Sequence, residues 1–252
     1  MASGVEAVLF DWGGTLTQWH DVDFHAESLA LAQAVVHAEH EHGHGHGHES
    51  ERDLLSVDRH ALAQRLHRAG AVIWGRSRDH QRSSTVADLF AEAGLDHDPD
   101  LLAGYYEFWE PHTYTDPEAA PTLRALRDRG IKVGVLSNTI WPREWHQGFF
   151  ERDGVADLID AAVYTSEIPW TKPAPEAFAA AMAAVGATDP ARCVYVGDRL
   201  YDDIWGAHNA GLRAIHIPHS DIPAEQIGHS IGTPDAVAHR LSDIVSITDS
   251  WT

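Results

Sequence analysis

The strongest constraint on the fold is a series of short apolar runs that alternate with helix-like segments. The runs are AVLFDW (7–12), IKVGVLS (131–137), AAVYTS (161–166), CVYVGD (193–198) and LRAIHI (212–217). Runs of this length without polar alternation are typical of strands buried on both faces of a parallel sheet. The segments between the later runs read as helices, at 117–129, 142–152, 174–185 and 202–210. This alternation predicts an α/β fold with a doubly wound, Rossmann-like parallel sheet.

Three of the runs end near a polar residue that can take part in chemistry. Asp11 lies at the end of the first run, Ser137 closes the second, and Asp198 closes the fourth. In doubly wound sheets, ligands bind at the carboxyl ends of the strands. The sequence therefore predicts a site at this edge, with Asp11, Ser137 and Asp198 close together.

A long stretch between the first and second strands contains no strand-like run and reads as helices. We therefore expect a core formed by 1–16 and 116–252, and a helical cap formed by 17–115. An insert placed directly after a strand-end turn can act as a lid over a site. The segment 37–50 contains six histidines, and imidazoles at this density can bind Zn²⁺, Ni²⁺ or Cu²⁺. Its interspersed glycines favour a mobile loop between two cap helices.

Composition limits the partners and the compartment. The formal net charge is −20 with histidine neutral, which argues against nucleic acid and anionic membranes as partners, because both need a basic face. Cys193 is the only cysteine and lies within an apolar run, so we expect a buried thiol and no disulfide. The first residues lack a basic segment followed by an apolar one, and no run approaches the ~18 apolar residues of a membrane span. We expect a soluble, cytoplasmic protein; the oligomeric state is left open.

Four motifs occur in a fixed order along the predicted core. They are DWGGT (11–15), LSNT (136–139), TKPAPEAF (171–178) and GDRLYDDIWGA (197–207). Together they resemble the haloacid dehalogenase-like hydrolase superfamily, and the insert stands where the family's helical, C1-type cap is placed. The resemblance implies a Mg²⁺-dependent phosphohydrolase that acts on a small phosphorylated metabolite. In such enzymes a carboxylate attacks phosphorus and forms a covalent aspartyl phosphate, which divides one displacement into two easier steps.

The resemblance gives the residues of the first three motifs their expected roles. Asp11 corresponds to the nucleophile. Negative charge on the phosphoryl oxygens must be neutralised, and Lys172 is the expected cation. Lys172 and Lys132 are the only lysines, and Lys132 is expected merely to flank its strand. The remaining phosphoryl contacts are expected from the hydroxyls of Thr15 and Ser137 and the backbone N–H groups of Gly14 and Asn138.

The fourth motif contributes carboxylates, and clustered carboxylates suit Mg²⁺, which prefers oxygen ligands. By resemblance, Asp11, Asp198 and the backbone carbonyl of Gly13 bind the metal directly. Asp203 aligns with the second acidic position of the motif, and it is expected to act through water or by holding Lys172. Asp202 has an alternative role as a helix N-cap.

Gly13 departs from the family pattern, because the phosphatases carry a second aspartate at this position. That residue protonates the leaving group, and such general acid–base help is worth roughly 10²–10⁴-fold. Three interpretations follow. In the first, the substrate has a leaving group that needs no acid, as in an acyl phosphate. In the second, a cap residue supplies the proton, and the nearest in sequence are His20, Asp21 and Asp23. In the third, the reaction is not phosphate monoester hydrolysis.

Other activities of the superfamily agree less well with the residues. Phosphonoacetaldehyde hydrolases have a similar first motif but need a cap lysine, and neither lysine lies in the predicted cap. The 2-haloacid dehalogenases attack carbon without a metal and lack the acidic pair of the fourth motif. A degenerate member that binds a phosphorylated ligand or a partner is a further alternative.

Two other groups of residues allow a functional and a structural interpretation. Arg76, Arg78 and Arg82 could clamp an anion, although arginines so placed more often form a solvated helix face. Several tryptophans lie close to the motifs and could line the site or simply pack the core; they are Trp12, Trp19, Trp141, Trp170 and Trp205.

Overall fold

A computed structural model describes residues 4–18, 22–42, 49–96, 102–221 and 229–251 of the 252-residue chain, with the backbone alone at 37–42 and 49–58. The chain divides into two compact units. The first contains Met1–Asp21, Gln81–Ser83 and His112–Thr252, and the second contains Val22–His80 and Ser84–Pro111. We refer to them as the core unit and the helical unit.

The core unit is built on a six-stranded sheet with every neighbouring pair parallel. The strands are β1 (Ala7–Phe10), β2 (Lys132–Ser137), β3 (Ala161–Tyr164), β4 (Cys193–Gly197), β5 (Arg213–His216) and β6 (Ala236–Val237). Their order is β3-β2-β1-β4-β5-β6. The doubly wound, Rossmann-like prediction is thereby confirmed. The strand β6 was not predicted, because two residues are too few to form an apolar run.

The helices follow in chain order. They are α1 (Phe24–His42), α2 (Glu49–His80), α3 (Val86–Glu92), α4 (Leu102–Trp109), α5 (Ala119–Asp128), α6 (Arg143–Arg152), α7 (Pro175–Ala184), α8 (Gly206–Asn209) and α9 (Asp243–Asp249). In the core unit, α7 packs against β2 and β3, and α5 packs against β2. None of the described helices is long and apolar enough to span a membrane.

The centre of the sheet is fully buried, which explains its apolar runs. All four residues of β1 are buried. Gly134 of β2 allows close packing here, because a Cβ atom at this position would lie 2.6 Å from Leu9 and 2.7 Å from Val185. Largely buried strands on both sides of β1 fix its position, so the residue that follows it is presented from a rigid support.

The helical unit differs from its predicted boundaries of 17–115. It starts at Val22 and ends at Pro111, and the chain returns to the core unit for the three residues Gln81–Ser83. No apolar pattern marks so short a return. Within the unit, α1 packs against α2 and α4, and α2 packs against α3.

The predicted histidine-rich loop at 37–50 is helical at both ends. The helix α1 continues to His42, and α2 begins at Glu49. The backbone of 43–48, and the side chains of the histidines throughout 37–50, lie outside the described residues.

A largely buried carboxyl in the helical unit leads to a prediction about stability. Burial raises the pKa of Glu27 from 4.5 to about 7, although Tyr105 donates a hydrogen bond to it. The folded protein therefore binds this proton more tightly than the unfolded chain. Between pH 4.5 and pH 7 the free energy of unfolding should fall as the pH rises, by about 3 kcal/mol in total from this group.

We expect Glu27→Gln to stabilise the protein at pH 8 by up to about 3 kcal/mol and to have little effect at pH 4.5. The amide keeps the shape and accepts the bond from Tyr105 without bearing charge. The measurement is denaturant unfolding of variant and parent at both pH values, with the exposed Glu107→Gln of α4 as a matched control. Equal effects of Glu27→Gln at the two pH values would contradict the prediction.

Candidate active site

Asp11 leaves the end of β1 and enters a tight turn. Its N–H donates to the carbonyl of Val196 on the neighbouring strand, at 2.9 Å. The turn closes through Trp12, whose carbonyl accepts from the N–H of Thr15 at 3.2 Å and of Thr17 at 3.0 Å. The strand order reverses between β1 and β4, and ligands bind in the crevice at such a switch point. Asp11 and Asp198 are the residues that follow these two strands.

Gly14 is required at the turn for two reasons. Its φ is +93°, a conformation that favours glycine. A Cβ atom at this position would also lie 2.3 Å from Oδ2 of Asp198. The turn and the Asp198 carboxylate can therefore approach each other only because residue 14 lacks a side chain.

Three buried carboxylates meet at this edge of the sheet. Asp11, Asp198 and Asp203 each offer an oxygen atom, and these atoms lie within 4.8 Å of one another. The ammonium of Lys172 lies among them, 2.8 Å from Oδ1 of Asp11 and 2.7 Å from Oδ1 of Asp203. Its Nζ also donates to the hydroxyl of Tyr195 at 2.8 Å.

The charges of this cluster do not balance, because three carboxylates face one ammonium. Burial raises the pKa of Asp11 to about 6; Lys172 opposes the rise, and Asp203 adds to it. Burial, reinforced by Asp203 and Asp11, holds the pKa of Asp198 well above its usual value. Burial by itself would lower the pKa of the Lys172 ammonium. The carboxylates of Asp11 and Asp203 outweigh burial and raise this pKa above its usual value. Lys172 is therefore a permanent cation in a site with excess negative charge.

Asp203 is held by two groups rather than left free. Its Oδ1 accepts from Lys172, and its Oδ2 accepts from the N–H of Arg199 at 2.8 Å. Gly197 makes this possible, because a Cβ atom there would lie 2.3 Å from the Asp203 carboxylate. Asp203 thus fixes the ammonium group through a direct ion pair.

Asp202 does not cap a helix. The segment Leu200–Trp205 forms a wide, π-type turn, with Arg199 at the N-cap position and no side-chain hydrogen bond to the cap. The predicted helix over 202–210 therefore begins earlier, at Leu200. Burial, together with Asp203, raises the pKa of Asp202 to about 6.

The loop that carries Lys172 is held from two sides. The side chain of Asn138 accepts from the N–H of Lys172 at 2.8 Å and donates to its carbonyl at 3.1 Å. On the other side, the N–H of Thr171 donates to the carbonyl of Gln81 at 3.1 Å. Only the backbone of Asn138 was predicted to take part in the site, whereas this bond pair shows that its side chain positions the lysine.

Tyr195 is a second residue that the sequence analysis missed. It accepts from Lys172, and its own hydroxyl donates to the carbonyl of Leu136 at 2.7 Å. Tyr195 is buried in β4, where its neighbours are aliphatic or small. A phenol within an apolar run, two residues before a motif glycine, was the available signal, because a buried hydroxyl needs a hydrogen-bond partner.

Two buried polar atoms of the site have no hydrogen-bond partner within the described part of the chain. They are Oγ1 of Thr15 and Oδ1 of Asp198. Leaving such an atom unsatisfied costs about 1–3 kcal/mol. Ser137, also buried, ends β2 at the same edge. A ligand that offers a cation or a hydrogen-bond donor to Asp198 and a polar contact to Thr15 would remove this cost.

The contacts of the arginines and tryptophans favour a structural role over a role in ligand binding. Arg76 pairs with Glu92 and Arg78 with Asp79 in the helical unit, whereas Arg82 stacks over Trp170 in the core unit at 4.2 Å. Each arginine therefore has a local partner within its own unit. Trp12 and Trp141 are buried and belong to one aromatic cluster with His146 and Phe149. Trp205 stacks on Tyr201. Trp19, His20 and Asp21 lie outside the described residues.

We expect Lys172→Met to destabilise the folded protein by about 3–5 kcal/mol at pH 7.5, because it leaves Asp11 and Asp203 buried without their cation. The loss should be smaller at pH 5, where protonation of Asp11 removes one of the uncompensated charges. Denaturant unfolding at both pH values measures the effect. Lys132→Met changes the only other lysine, which is exposed on β2, and is the matched control. An effect of similar size in the two variants would contradict this account.

Comparisons with known proteins agree with the geometry. A family model described as haloacid dehalogenase-like hydrolase matches residues 5–211. The chain is 28% identical over 163 residues to a glyceraldehyde 3-phosphate phosphatase of Methanopyrus kandleri, covering 63% of this chain and 69% of that protein. It is 29% identical over 204 residues to a phosphonoacetaldehyde hydrolase of Bordetella avium, covering 77% and 65%. The matches thus span about two thirds of these relatives. A crystal structure of a HAD phosphatase from Thermococcus onnurineus shares the fold, with a TM-score of 0.62 at 24% identity over 96% of this chain and 97% of that one.

Proposed function

The chain belongs to the haloacid dehalogenase-like hydrolases, and from that membership we propose a Mg²⁺-dependent phosphohydrolase that works through an aspartyl phosphate on Asp11. An oxygen of Asp11 forms a bond to phosphorus while the bond from phosphorus to the leaving group breaks. Water then cleaves the aspartyl phosphate, which releases inorganic phosphate and restores the carboxylate. Dividing the displacement in this way lowers the barrier of each step.

One observation carries the proposal: the carboxylate at the end of β1 lies in a buried cluster with one lysine and two further carboxylates. The ammonium of Lys172 lies 2.8 Å from Oδ1 of Asp11. It can therefore remain beside the carboxylate that attacks phosphorus and close to the phosphoryl oxygens. The unpartnered hydroxyl of Thr15 and the buried Ser137 supply donors at the same edge. Donors placed in advance around a developing anion are a major source of catalysis.

The donor set fits a magnesium ion. Carboxylate oxygens within 4.8 Å of one another, an unpartnered Oδ1 on Asp198, and excess negative charge are the features of a site for a hard cation. Asp11, Asp198 and the carbonyl of Gly13 would hold the ion. Both oxygens of Asp203 already accept hydrogen bonds, so its proposed role is to hold Lys172. When bound, Mg²⁺ offsets the negative charge and polarises a phosphoryl oxygen.

The substrate proposed for this site is a small phosphorylated metabolite with a good leaving group, such as an acyl phosphate. Gly13 has no side chain that could protonate a leaving group, so an alkoxide would leave slowly. The Methanopyrus relative is named for a small phosphorylated metabolite, which supports the substrate class. The phosphonoacetaldehyde reaction is disfavoured here, because both lysines of the chain lie in the core unit and none lies in the helical unit.

Phosphate release from acetyl phosphate, p-nitrophenyl phosphate and β-glycerophosphate, with and without Mg²⁺, tests the proposal. We expect Mg²⁺-dependent turnover that is fast for the first two substrates and slow for the alkyl ester. Chloride release from 2-chloropropionate without metal would instead identify a dehalogenase. Binding of phosphorylated ligands without any turnover would identify a degenerate member of the family.

A further inference from the structure

The last residue of β5 and the segment that follows it make three hydrogen bonds to the backbone of the active-site turns. The Nε2 atom of His216 lies 3.0 Å from the carbonyl oxygen of Asp198, and Nε2 of His219 lies 3.0 Å from that of Thr15. The hydroxyl of Ser220 donates to the carbonyl of Gly14 at 2.8 Å. We call His216, His219 and Ser220 the β5 bracket.

The chemistry of these bonds fixes which partner donates. A carbonyl oxygen can only accept, so Nε2 of both histidines must carry a proton. The N–H of Ile217 donates to the carbonyl of Gly197 at 3.0 Å, which ties the same segment to the β4 turn once more. One short stretch of chain therefore contacts the turn after β1 and the turn after β4 at the same time.

The two turns pack tightly against each other, so their relative position must be held by a connection of this kind. Gly14 lies so close to the Asp198 carboxylate that even a Cβ atom would collide with it. The bracketed carbonyls of Gly14 and Thr15 directly follow that of Gly13, a proposed magnesium ligand. A small displacement of either turn would change the distance between that carbonyl and Asp198.

We propose that the β5 bracket is a set of positioning residues that hold the Asp11 turn and the Asp198 turn in register for magnesium binding and catalysis. The inference rests on the proposed function for its catalytic part. Residues that orient metal ligands through hydrogen bonds typically contribute 10- to 100-fold to metal affinity or activity. Because the bracket acts through backbone carbonyls, a search for sequence motifs does not find its residues.

The test compares His219→Leu with His219→Gln, and His216→Leu with His216→Gln. Glutamine places an amide N–H close to the position of Nε2, whereas leucine retains bulk without a donor. We expect each leucine variant to raise the Mg²⁺ midpoint, measured by thermal shift, by roughly 10- to 100-fold. The kcat for acetyl phosphate should fall with little change in KM, and the glutamine variants should recover most of both losses. His208→Leu, which removes an exposed histidine paired with Asp235, is the control.

Amide hydrogen exchange of residues 13–17 and 197–199 in the metal-free protein supplies a readout that does not depend on activity. We expect faster exchange in the leucine variants and restored protection in the glutamine variants. Unchanged exchange and unchanged Mg²⁺ midpoints in the leucine variants would overturn the inference, as would equal impairment by leucine and glutamine. If the parent neither binds Mg²⁺ nor releases phosphate, the proposed function fails, and the exchange data still decide whether the bracket holds the turns.

Discussion

Asp11→Asn is expected to lower kcat for acetyl phosphate by at least about 10³-fold, because an amide oxygen is a poor nucleophile and cannot form the aspartyl phosphate. The change is nearly isosteric, so the turn after β1 should keep its backbone bonds to Val196 and Trp12. Steady-state phosphate release measures the loss. Mass spectrometry of acid-quenched protein should detect one added phosphoryl group in the parent and none in the variant.

Asp202→Asn is the matched control for this prediction. It makes the same chemical change one residue before Asp203, at a carboxyl that lies outside the cluster of Asp11, Asp198 and Asp203. We expect it to retain most of the parent's activity. If Asp11→Asn kept a rate close to that of the parent, or still became phosphorylated, another residue would be the nucleophile and the proposed mechanism would be wrong.

The positions of the predicted site residues follow from local patterns in the sequence. Apolar runs place β1, β2 and β4 in the centre of a parallel sheet, and parallel strands bring their carboxyl ends to one edge. Asp11, Ser137 and Asp198 are therefore predictable from strand ends alone. Lys172 was predictable from its motif and from the scarcity of lysine, and the structure places it between Asp11 and Asp203.

The groups that hold these residues in place could not be predicted in the same way. Asn138 binds the Lys172 backbone across 34 residues of sequence, and His219 reaches Thr15 across 204. Such bonds join a side chain to a backbone atom, and any residue supplies the backbone atom. Periodicity and motif spacing carry no information about them. The return of Gln81–Ser83 to the core unit was missed for the same reason, because its bonds to the loop at 168–171 are mainly backbone bonds.

Gly13→Asp is expected to raise kcat for β-glycerophosphate by roughly 10²–10⁴-fold while changing acetyl phosphate turnover much less. The new carboxyl would supply the proton that an alkoxide needs and an acyl phosphate does not. It would join a site where burial and the Asp203 carboxylate already raise the pKa of Asp11 to about 6, and the same conditions favour the protonated, acid form of the new carboxyl. The substitution leaves Gly14, whose positive φ favours glycine, unchanged.

Two control variants separate the chemistry of this substitution from its bulk. Gly13→Ala adds a Cβ atom without an acid, and it should leave both rates close to those of the parent. Gly14→Ala should abolish activity, because its Cβ atom would collide with Asp198 in a conformation that favours glycine. If Gly13→Asp failed to accelerate the alkyl ester although Gly13→Ala was fully active, the absence of an acid at position 13 would not be what limits this enzyme. The preference for activated substrates would then lose its physical basis.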